Sequence, residues 1–267
     1  MQVEVDREKY GPWAVVTGAS SGIGKECARV LGKLGFHLFL VARNEDALNV
    51  LATELIQSHP ITVEVFPLDF SHSGSNRELF EETSKSEVGL FVAASGFGTS
   101  GPFLSSPLDR EQEMMRVNCA AVLEQCHHFG NRFRDRGSGG VILFGSIVGF
   151  QGTPLAAHYA ATKAYIQSLA EGLRAEWKPH GVDILSSAPG PTETGFSIEA
   201  DMKMNGAMSP RVVAEETLAA LGRRSTVLPG FQTKFLSYSL AMLPRWGRVL
   251  VMKAVMSGMT KHQRTSA

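Results

Sequence analysis

The sequence predicts an α/β fold: a single domain in which helices cover both faces of a doubly wound, parallel sheet. Short apolar stretches typical of buried strands alternate with stretches of helical periodicity, and this alternation favours a parallel sheet. The first of these strands runs through a glycine-rich turn directly into a helix. No repeat or low-complexity linker divides the 267 residues, a length that suits one large domain or two small ones.

The first half of the chain contains four predicted strands and three connecting helices. The strands are short and apolar, and Pro60 breaks the second helix. In chain order we predict strand 13–16, helix 25–34, strand 37–42, helix 45–58, strand 61–67, helix 76–84 and strand 88–94.

The second half continues the alternation. A strand at 141–145 precedes Ser146, a helix that includes Tyr159 ends at 177–181, and strand 182–188 follows. The next helix, 209–222, has Ser209 as its predicted N-cap and Pro210 at its first position. A last edge strand is predicted at 226–229.

The turn after the first strand has the features of a phosphate-binding loop. Glycines let the backbone approach a pyrophosphate, and the following helix N-terminus offers N–H groups and the positive end of the helix dipole. Because the glycines lie between a strand and a helix, they favour nucleotide binding. The residues expected at the phosphates are Gly18, Ser20, Ser21, Gly22, Ile23 and Gly24.

The end of the second strand bears on the choice of nucleotide. NAD-preferring sites have an acidic residue there for the ribose 2′-hydroxyl, whereas an Arg nearby accommodates the 2′-phosphate of NADP(H). Here Ala42 is followed by Arg43, so the acid is absent and a guanidinium is available. We therefore predict NADP(H) as the cofactor; the alternative for Arg43 is a solvated residue at a helix start.

Tyr159 and Lys163 form a Tyr-x-x-x-Lys motif, which puts both side chains on one face of a helix. A cation beside a phenol favours the phenolate, so we expect Lys163 to lower the pKa of Tyr159 from about 10. Such a tyrosine can act as a general acid or base near neutral pH. Ser146 could hold a substrate oxygen next to the phenol. The motif alone is common on surface helices and gains weight only together with the glycine-rich turn.

Three motifs together, Thr17-Gly18-x-x-x-Gly22-Ile23-Gly24, Ser146 and Tyr159-x-x-x-Lys163, resemble the short-chain dehydrogenase/reductase family. The resemblance covers residues 13–194 and implies a Rossmann-like fold. It also implies hydride transfer between NADP(H) and a carbonyl/alcohol pair. Ser146 and Tyr159 would bind the substrate oxygen, Tyr159 would transfer the proton, and Lys163 would bind the nicotinamide ribose.

The resemblance extends to residues outside these motifs. Asn118 resembles the family's active-site asparagine, which helps hold a water that relays protons from the lysine, and Asp69 resembles an acid that binds the adenine amine. The stretch Pro189-Gly190-Pro191-Thr192-Glu193-Thr194 resembles the turn that holds the nicotinamide carboxamide. In that turn Thr192 would act through its backbone and Thr194 through its hydroxyl.

One stretch departs from the family pattern. After the fourth strand the family often has Asn-Asn-Ala-Gly, where this chain has Ala93-Ala94-Ser95-Gly96. Gly96 still lets the backbone approach the cofactor, and Ala94 would contact it through the backbone alone. The amide side chains that usually brace the central sheet are missing.

Composition limits the partners. A net charge of zero argues against nucleic-acid binding. The three cysteines include no Cys-x-x-Cys pair, so neither disulfides nor a metal site is predicted and a reducing, cytoplasmic location is expected. Residues 1–10 lack a signal-peptide core, and no uncharged apolar run reaches the ~18 residues of a spanning helix.

The chain is expected to divide into a catalytic domain, 1–230, and a basic amphipathic extension, 231–267. After Glu216 there are eight basic residues and no acidic one, so the first 216 residues carry a net charge of −8. We expect the extension to pack on its own domain or on a partner subunit; the alternatives are packing over the substrate mouth and contact of 231–259 with an anionic membrane. Its predicted helices contain Phe235, Leu236, Leu240 and Leu243, and then Leu250, Val251 and Val255.

Residues 195–208 have no clear period and are expected to cover the substrate. Phe196, Ile198 and three methionines, Met202, Met204 and Met208, suggest an apolar, adaptable lid. The alternative is an ordinary mobile surface loop.

The predicted function is an NADP(H)-dependent oxidoreductase acting on an apolar carbonyl/alcohol substrate, with 3-oxoacyl and ketosteroid-like compounds as candidates. The resemblance implies a homodimer or homotetramer formed through helices that begin near Pro107 and Ala157. One alternative is a non-catalytic NADP(H)-binding sensor, although such proteins tend to lose the tyrosine or the lysine. Another is an epimerase or dehydratase, although those relatives usually have a longer C-terminal substrate domain.

Overall fold

The computed structural model describes residues 3–203 and 206–264. Its seven strands pair in the order β3-β2-β1-β4-β5-β6-β7, and every neighbouring pair is parallel. Because the order reverses between β1 and β4, the sheet is doubly wound, and the predicted fold class is confirmed. The strands are β1 (Trp13–Thr17), β2 (His37–Val41), β3 (Val63–Phe66), β4 (Val88–Ala93), β5 (Gly139–Phe144), β6 (Val182–Ser187) and β7 (Thr226–Val227).

Helices connect these strands and extend beyond the last one. A π-helical turn, Arg116–Ala120, joins α5 to α6. The helices are α1 (Arg7–Tyr10), α2 (Gly22–Lys33), α3 (Glu45–Ser58), α4 (Ser75–Glu82), α5 (Leu108–Met115), α6 (Ala121–Arg136), α7 (Ala157–Trp177), α8 (Phe196–Glu199), α9 (Pro210–Ala220), α10 (Phe231–Ala241) and α11 (Arg245–Met259). No described helix is long and apolar enough to cross a membrane.

The sheet has an apolar core on each face. A parallel sheet is buried on both sides, which is why its strands have nearly continuous apolar sequences instead of alternating ones. On one face α2, α3 and α9 contribute the fully buried Leu31, Leu51 and Val213. On the other face α6 and α7 contribute Phe129 and Ile166.

The C-terminal helices α10 and α11 contact the same chain through one face. The backbone N–H of Gly190 donates to Thr233 Oγ1 of α10 at 3.3 Å. Lys234 forms an ion pair with Glu216 of α9 at 3.1 Å. The backbone N–H of Lys203 donates to the carbonyl of Met259, the last residue of α11, at 3.0 Å. Both helices are therefore attached to the turn and the lid that border the sheet's carboxyl edge.

Ser209 is the N-cap residue of α9 and Pro210 begins the helix, as predicted, although the Ser209 side chain makes no capping hydrogen bond. Two other local predictions need correction. The lid contains a helical turn, α8, and Met204 lies outside the described residues. In the extension, the apolar residues chosen from periodicity are mostly not the buried ones: Phe235, Leu243, Leu250 and Val251 are exposed, whereas Met252 and Met256 are buried.

Candidate active site

A cavity of ≈ 490 Å³ opens at the carboxyl edge of the sheet. The segments that follow β1 to β6 all contribute to its wall, together with the lid and both C-terminal helices. Ligands of doubly wound sheets bind in the crevice outside the strands' carboxyl ends, at the point where the strand order reverses. The volume lies within the range of sites for small molecules and cofactors.

Two glycines of the phosphate loop have no room for a side chain. Gly18 has φ +66°, and a Cβ there would lie 2.6 Å from the carbonyl oxygen of Ala94. A Cβ at Gly24 would lie 2.4 Å from the carbonyl oxygen of Gly18. The first turn of α2 therefore packs directly on the loop. Its N–H groups have no partner within the helix and are available to an anion in the cavity.

The loop hydroxyls face the same cavity. Ser20, Ser21 and Ile23 line it. Ser21 occupies the N-cap position of α2, yet its side chain makes no capping hydrogen bond. A hydroxyl that its own helix does not use can bind a phosphate oxygen. The loop thus fits the pyrophosphate of a dinucleotide.

Arg43 and Asp69 border the nucleotide side of the cavity. Arg43 is exposed and, within the described residues, forms no ion pair. Asp69 is half-buried and accepts a hydrogen bond from the backbone N–H of Ser71 at 2.8 Å. Burial raises the pKa of the Asp69 carboxyl, but the hydrogen bonds from Ser71 and the nearby Arg43 outweigh it and lower the pKa overall. Asp69 is therefore a charged acceptor at neutral pH.

Thr17 braces the carboxyl ends of the two central strands, β1 and β4. Its hydroxyl oxygen accepts hydrogen bonds from the backbone N–H groups of Ala94 and Ser95, both at 3.1 Å, and donates to the carbonyl of Val92 at 3.4 Å. These bonds tie the end of β4 to the end of β1. Ala94 and Gly96 can then line the cavity with backbone alone.

Ser146, Tyr159 and Lys163 line the cavity where its two sides meet. Ser146 comes two residues after the end of β5, and the other two lie one turn apart on α7. Tyr159 and Lys163 are each only 8% exposed, so water reaches them mainly through the cavity. The Lys163 Nζ donates to the carbonyl oxygen of Phe144 at 2.8 Å.

The prediction that Lys163 lowers the pKa of Tyr159 is wrong for this arrangement. Burial raises the pKa of Tyr159 above its ordinary value, and the interaction with the Ser146 hydroxyl only partly opposes it. Lys163 Nζ lies 5.8 Å from the centre of the Tyr159 ring and is bonded to a carbonyl instead. Burial lowers the pKa of Lys163 itself to about 8. The sequence showed that the two groups share a face but not how deeply both are buried.

Asn118 is the one predicted site residue that does not line the cavity. It lies in the π-helical turn, where its side chain donates to the Phe97 carbonyl at 2.9 Å and to Thr162 Oγ1 at 3.1 Å. Its Oδ1 accepts from the Phe97 N–H at 3.1 Å. The amide therefore positions Phe97, whose ring lines the cavity. A role of Asn118 in holding a water stays a prediction.

The turn after β6 borders both sides of the cavity. Pro189, Gly190, Thr192 and Thr194 all line it. The Thr192 hydroxyl donates to the Gly190 carbonyl at 3.0 Å, and the Thr194 oxygen accepts from the N–H of Phe196 at 3.2 Å. A Cβ at Gly22 would lie 2.8 Å from Thr194 Cγ2, so this turn packs on the phosphate loop.

The opposite side of the cavity is apolar and comes from the lid and the C-terminal helices. The Phe196 ring lies 5.2 Å from the Tyr159 ring, centre to centre. Sequence reasoning included Phe196 and Met202 in the lid and gave packing of the extension over the substrate mouth as one alternative, without naming which of its side chains would line the site. The side chains that these two helices contribute are Leu236, Met252, Val255, Met256 and Met259.

Polar contacts hold the lid over this side. Arg110 of α5 forms an ion pair with Glu199 of α8. It also pairs with Glu113, at 2.7 Å, and its guanidinium lies 3.9 Å from the centre of the Phe97 ring. His262 Nε2 lies 2.8 Å from a carboxylate oxygen of Asp201. Residues on α5 and after α11 thus hold the C-terminal end of α8 and the residues that follow it. Their spacing in the chain gave no signal of this contact.

Comparison with known proteins agrees with this geometry. The family model for short chain dehydrogenases matches residues 12–205. The chain belongs to the short chain dehydrogenase family. This membership makes it an oxidoreductase that uses a nicotinamide cofactor.

Its relatives within the short chain dehydrogenases include steroid-converting enzymes. A 7β-hydroxysteroid dehydrogenase of Clostridium sardiniense is 32% identical over 228 residues, covering 84% of this chain and 87% of the relative. A solved structure described for 7β-hydroxysteroid dehydrogenase stereoselectivity has TM-score 0.85 and 27% identity, over 92% of this chain and 98% of its own. The structure of a putative NAD(P)-dependent gluconate 5-dehydrogenase of Beutenbergia cavernae, solved with bound NADP, has TM-score 0.72 and 27% identity. The match covers 82% of this chain and 94% of the other.

Proposed function

We propose that this short chain dehydrogenase is an NADP(H)-dependent reductase of a bulky, apolar ketone or aldehyde. One observation carries the proposal: a single cavity joins a phosphate loop to an apolar chamber, and Ser146, Tyr159 and Lys163 lie where the two sides meet. The steroid-converting relatives support a substrate of this size and polarity.

The proposed cofactor is NADP(H) and not NAD(H). Arg43 is exposed at the rim of the nucleotide side and has no ion-pair partner among the described residues. Its planar guanidinium can bind a 2′-phosphate through two parallel hydrogen bonds. Ala42 before it leaves the site without the carboxylate that would accept a bond from a free 2′-hydroxyl. Asp69 would bind the adenine amine, as its charge and position allow.

The proposed proton donor is Tyr159. Its phenol carries a proton in the cofactor-free protein and lines the cavity together with Ser146, where it can protonate a bound carbonyl oxygen. Ser146 would hold that oxygen by a second hydrogen bond. Lys163 would bind the nicotinamide ribose. The bound nicotinamide supplies the hydride.

The proposed oligomer is a homodimer or homotetramer. The helices α5, α6 and α7 expose large apolar side chains, including Leu108 at 65%, Met115 at 46%, Leu123 at 48% and Tyr165 at 37%. Covering such residues is what an interface between copies would do. We propose that the protein is located in the cytoplasm.

The proposal is tested by following NADPH absorbance against apolar ketones, aldehydes, ketosteroids and 3-oxoacyl thioesters, with NADH in parallel. We expect consumption of NADPH that Tyr159→Phe abolishes, and slower consumption of NADH. Faster use of NADH would overturn the role of Arg43. NADPH binding without consumption of any panel member would favour the non-catalytic sensor, and product formation without net consumption would favour an epimerase.

A further inference from the structure

The two C-terminal helices have a second apolar face that points away from the protein. Phe231, Phe235 and Tyr238 follow one another at helical spacing along α10, and Met242 continues this spacing at its C-cap; Trp246 and Leu250 are spaced in the same way on α11. These six side chains form what we call the outer face. Their exposed fractions run from 57% for Leu250 to 88% for Met242. Isolated exposed apolar residues are ordinary, but rows of aromatic and aliphatic ones along two successive helices indicate a partner.

The outer face is bordered by positive charge. On α11 the exposed Lys253 comes seven residues after Trp246 and so lies on the same side as Trp246 and Leu250. Arg245 and Lys253 form no ion pair within the described residues. Arg248 donates to the carbonyls of Ala241 and Leu243, which uses its hydrogens but leaves its charge unbalanced. After Glu216 the sequence has no acidic residue at all.

We propose that the outer face docks on the surface of an anionic phospholipid bilayer. Helices that lie in a membrane interface combine an apolar face with Lys and Arg, and Trp and Tyr are enriched at the depth of the headgroups. Phe231, Phe235 and Leu250 would enter the acyl boundary while Arg245 and Lys253 contact lipid phosphates. Trp246 and Tyr238 have the apolar body and polar tip suited to the boundary between them.

Charge favours a lipid surface over a second copy of this chain. In a two-fold symmetric pair the same patch faces itself, so the basic residues of the two copies would repel each other. An anionic bilayer instead attracts them. The remaining residues up to Glu216 carry a net charge of −8 and are repelled by the same surface, so the protein would dock with the extension toward the lipid.

The opposite side of the same helices lines the cavity. Met252 and Met256 are buried and face the chamber, whereas Trp246 and Leu250, on the same helix, point outward. If the proposed function holds, an apolar substrate dissolved in the bilayer would need to pass only one helix to reach Tyr159. Docking itself does not depend on turnover, so it can be tested separately.

The test is flotation of the full-length protein with vesicles of phosphatidylcholine alone or mixed with phosphatidylglycerol. We expect flotation with the mixed vesicles, weakening as salt rises. Phe235→Ser/Trp246→Ser should bind at least tenfold more weakly, because each large apolar side chain is worth about tenfold or more. Arg245→Glu/Lys253→Glu should lose the preference for phosphatidylglycerol, at roughly fivefold for each charge removed.

The matched control is Val50→Ser/Ile56→Ser, which changes two exposed apolar residues on α3. It should float like the unmodified protein. NADPH binding measured in all variants shows that each is folded, since none of the changed residues lines the cavity. Absence of flotation, or equal flotation of the Phe235→Ser/Trp246→Ser variant, would overturn the proposal. A change of that variant's molecular mass in solution without lipid binding would assign the face to a second copy instead.

Discussion

The two sides of the cavity are built in different ways. The nucleotide side comes from segments directly after β1, β2 and β3 and from the first turn of α2. Its shape depends on backbone contacts such as Gly24 against Gly18, where not even a methyl group fits. The substrate side comes from the lid, α10 and α11, and its walls are side chains, with Met202, Met252 and Met256 prominent among them.

This difference indicates a division of labour. Backbone contacts at van der Waals distance hold the phosphate loop in one shape, which suits a cofactor that is the same in every reaction. Methionine is flexible and polarisable, so it adapts to ligands of different shape. We expect changes on the nucleotide side to alter cofactor binding sharply and changes on the substrate side to alter substrate choice gradually.

Tyr159→Phe tests the junction between the two sides and should have the largest effect. It removes the proton donor but keeps the ring that packs on Phe196. We expect kcat to fall by about 10² to 10⁴, with the Kd for NADPH nearly unchanged. Steady-state kinetics and fluorescence titration of NADPH measure the two quantities. Turnover equal to that of the unmodified protein would remove Tyr159 from the chemistry.

Lys163→Met tests whether burial governs the charges at the junction. In the folded protein the pKa of Lys163 is about 8, whereas in the unfolded chain it is about 10.4. Between these values the unfolded chain binds more protons, so this group makes stability rise with pH. Relative to Lys163→Met, the unmodified protein's free energy of unfolding should therefore rise by roughly 2 to 3 kcal/mol from about pH 7 to about pH 10.

Urea unfolding of the cofactor-free protein at both pH values measures this difference. Cys119 and Tyr159 also have raised pKa values, but they are present in both proteins and largely cancel. A difference that stays constant with pH would mean that Lys163 is solvated in the cavity.

Arg43→Glu tests whether the nucleotide side of the cavity selects NADP(H) over NAD(H). It replaces the exposed guanidinium with a carboxylate that repels a 2′-phosphate and can accept from a 2′-hydroxyl. We expect the Kd for NADPH to rise about 10- to 100-fold, that for NADH to stay the same or fall, and KM for the ketone to change little. Arg77→Glu, at an exposed ion pair on α4, is the charge-matched control. A parallel loss for both cofactors would indicate a structural role for Arg43.

Met256→Phe should have the smallest effect of these variants, and it should alter substrate binding without altering cofactor binding. The ring occupies part of the chamber, so KM for the bulkiest ketones should rise several-fold while small ketones and NADPH binding are hardly affected. Met256→Leu conserves volume and should behave nearly like the unmodified protein. Equal effects on bulky and small ketones would show that α11 does not shape the substrate side.

Sequence alone could predict the nucleotide side because its signal is local. A strand, the turn from Gly18 to Gly24 and a helix follow one another within a few residues, and Arg43 stands at the next strand end. The bracing by Thr17 was missed because its partners, Ala94 and Ser95, are distant in the chain.

The lid was predicted on the substrate side, but the contribution of α11 could not be predicted because this helix is apolar on two faces. Its periodicity shows a helix but not that Met252 and Met256 face the cavity while Trp246 and Leu250 face outward. The shifted pKa values of Tyr159 and Lys163 were missed for a related reason: they depend on burial by residues from several elements, whereas the sequence shows only that the pair shares a helix face.

The central claim is that the two sides meet at Tyr159 for a hydride transfer between a nicotinamide and an apolar carbonyl. The most direct test uses two samples of NADPH, each deuterated at one of the two C4 positions, with the best ketone of the panel. Mass spectrometry of the alcohol follows the label. We predict that deuterium from only one of the two C4 positions is transferred, and that each labelled NADPH consumed puts one deuterium on the new carbinol carbon. No label should appear in the solvent. Alcohol that forms without deuterium, or NADPH that keeps its label while the substrate changes, would contradict the account.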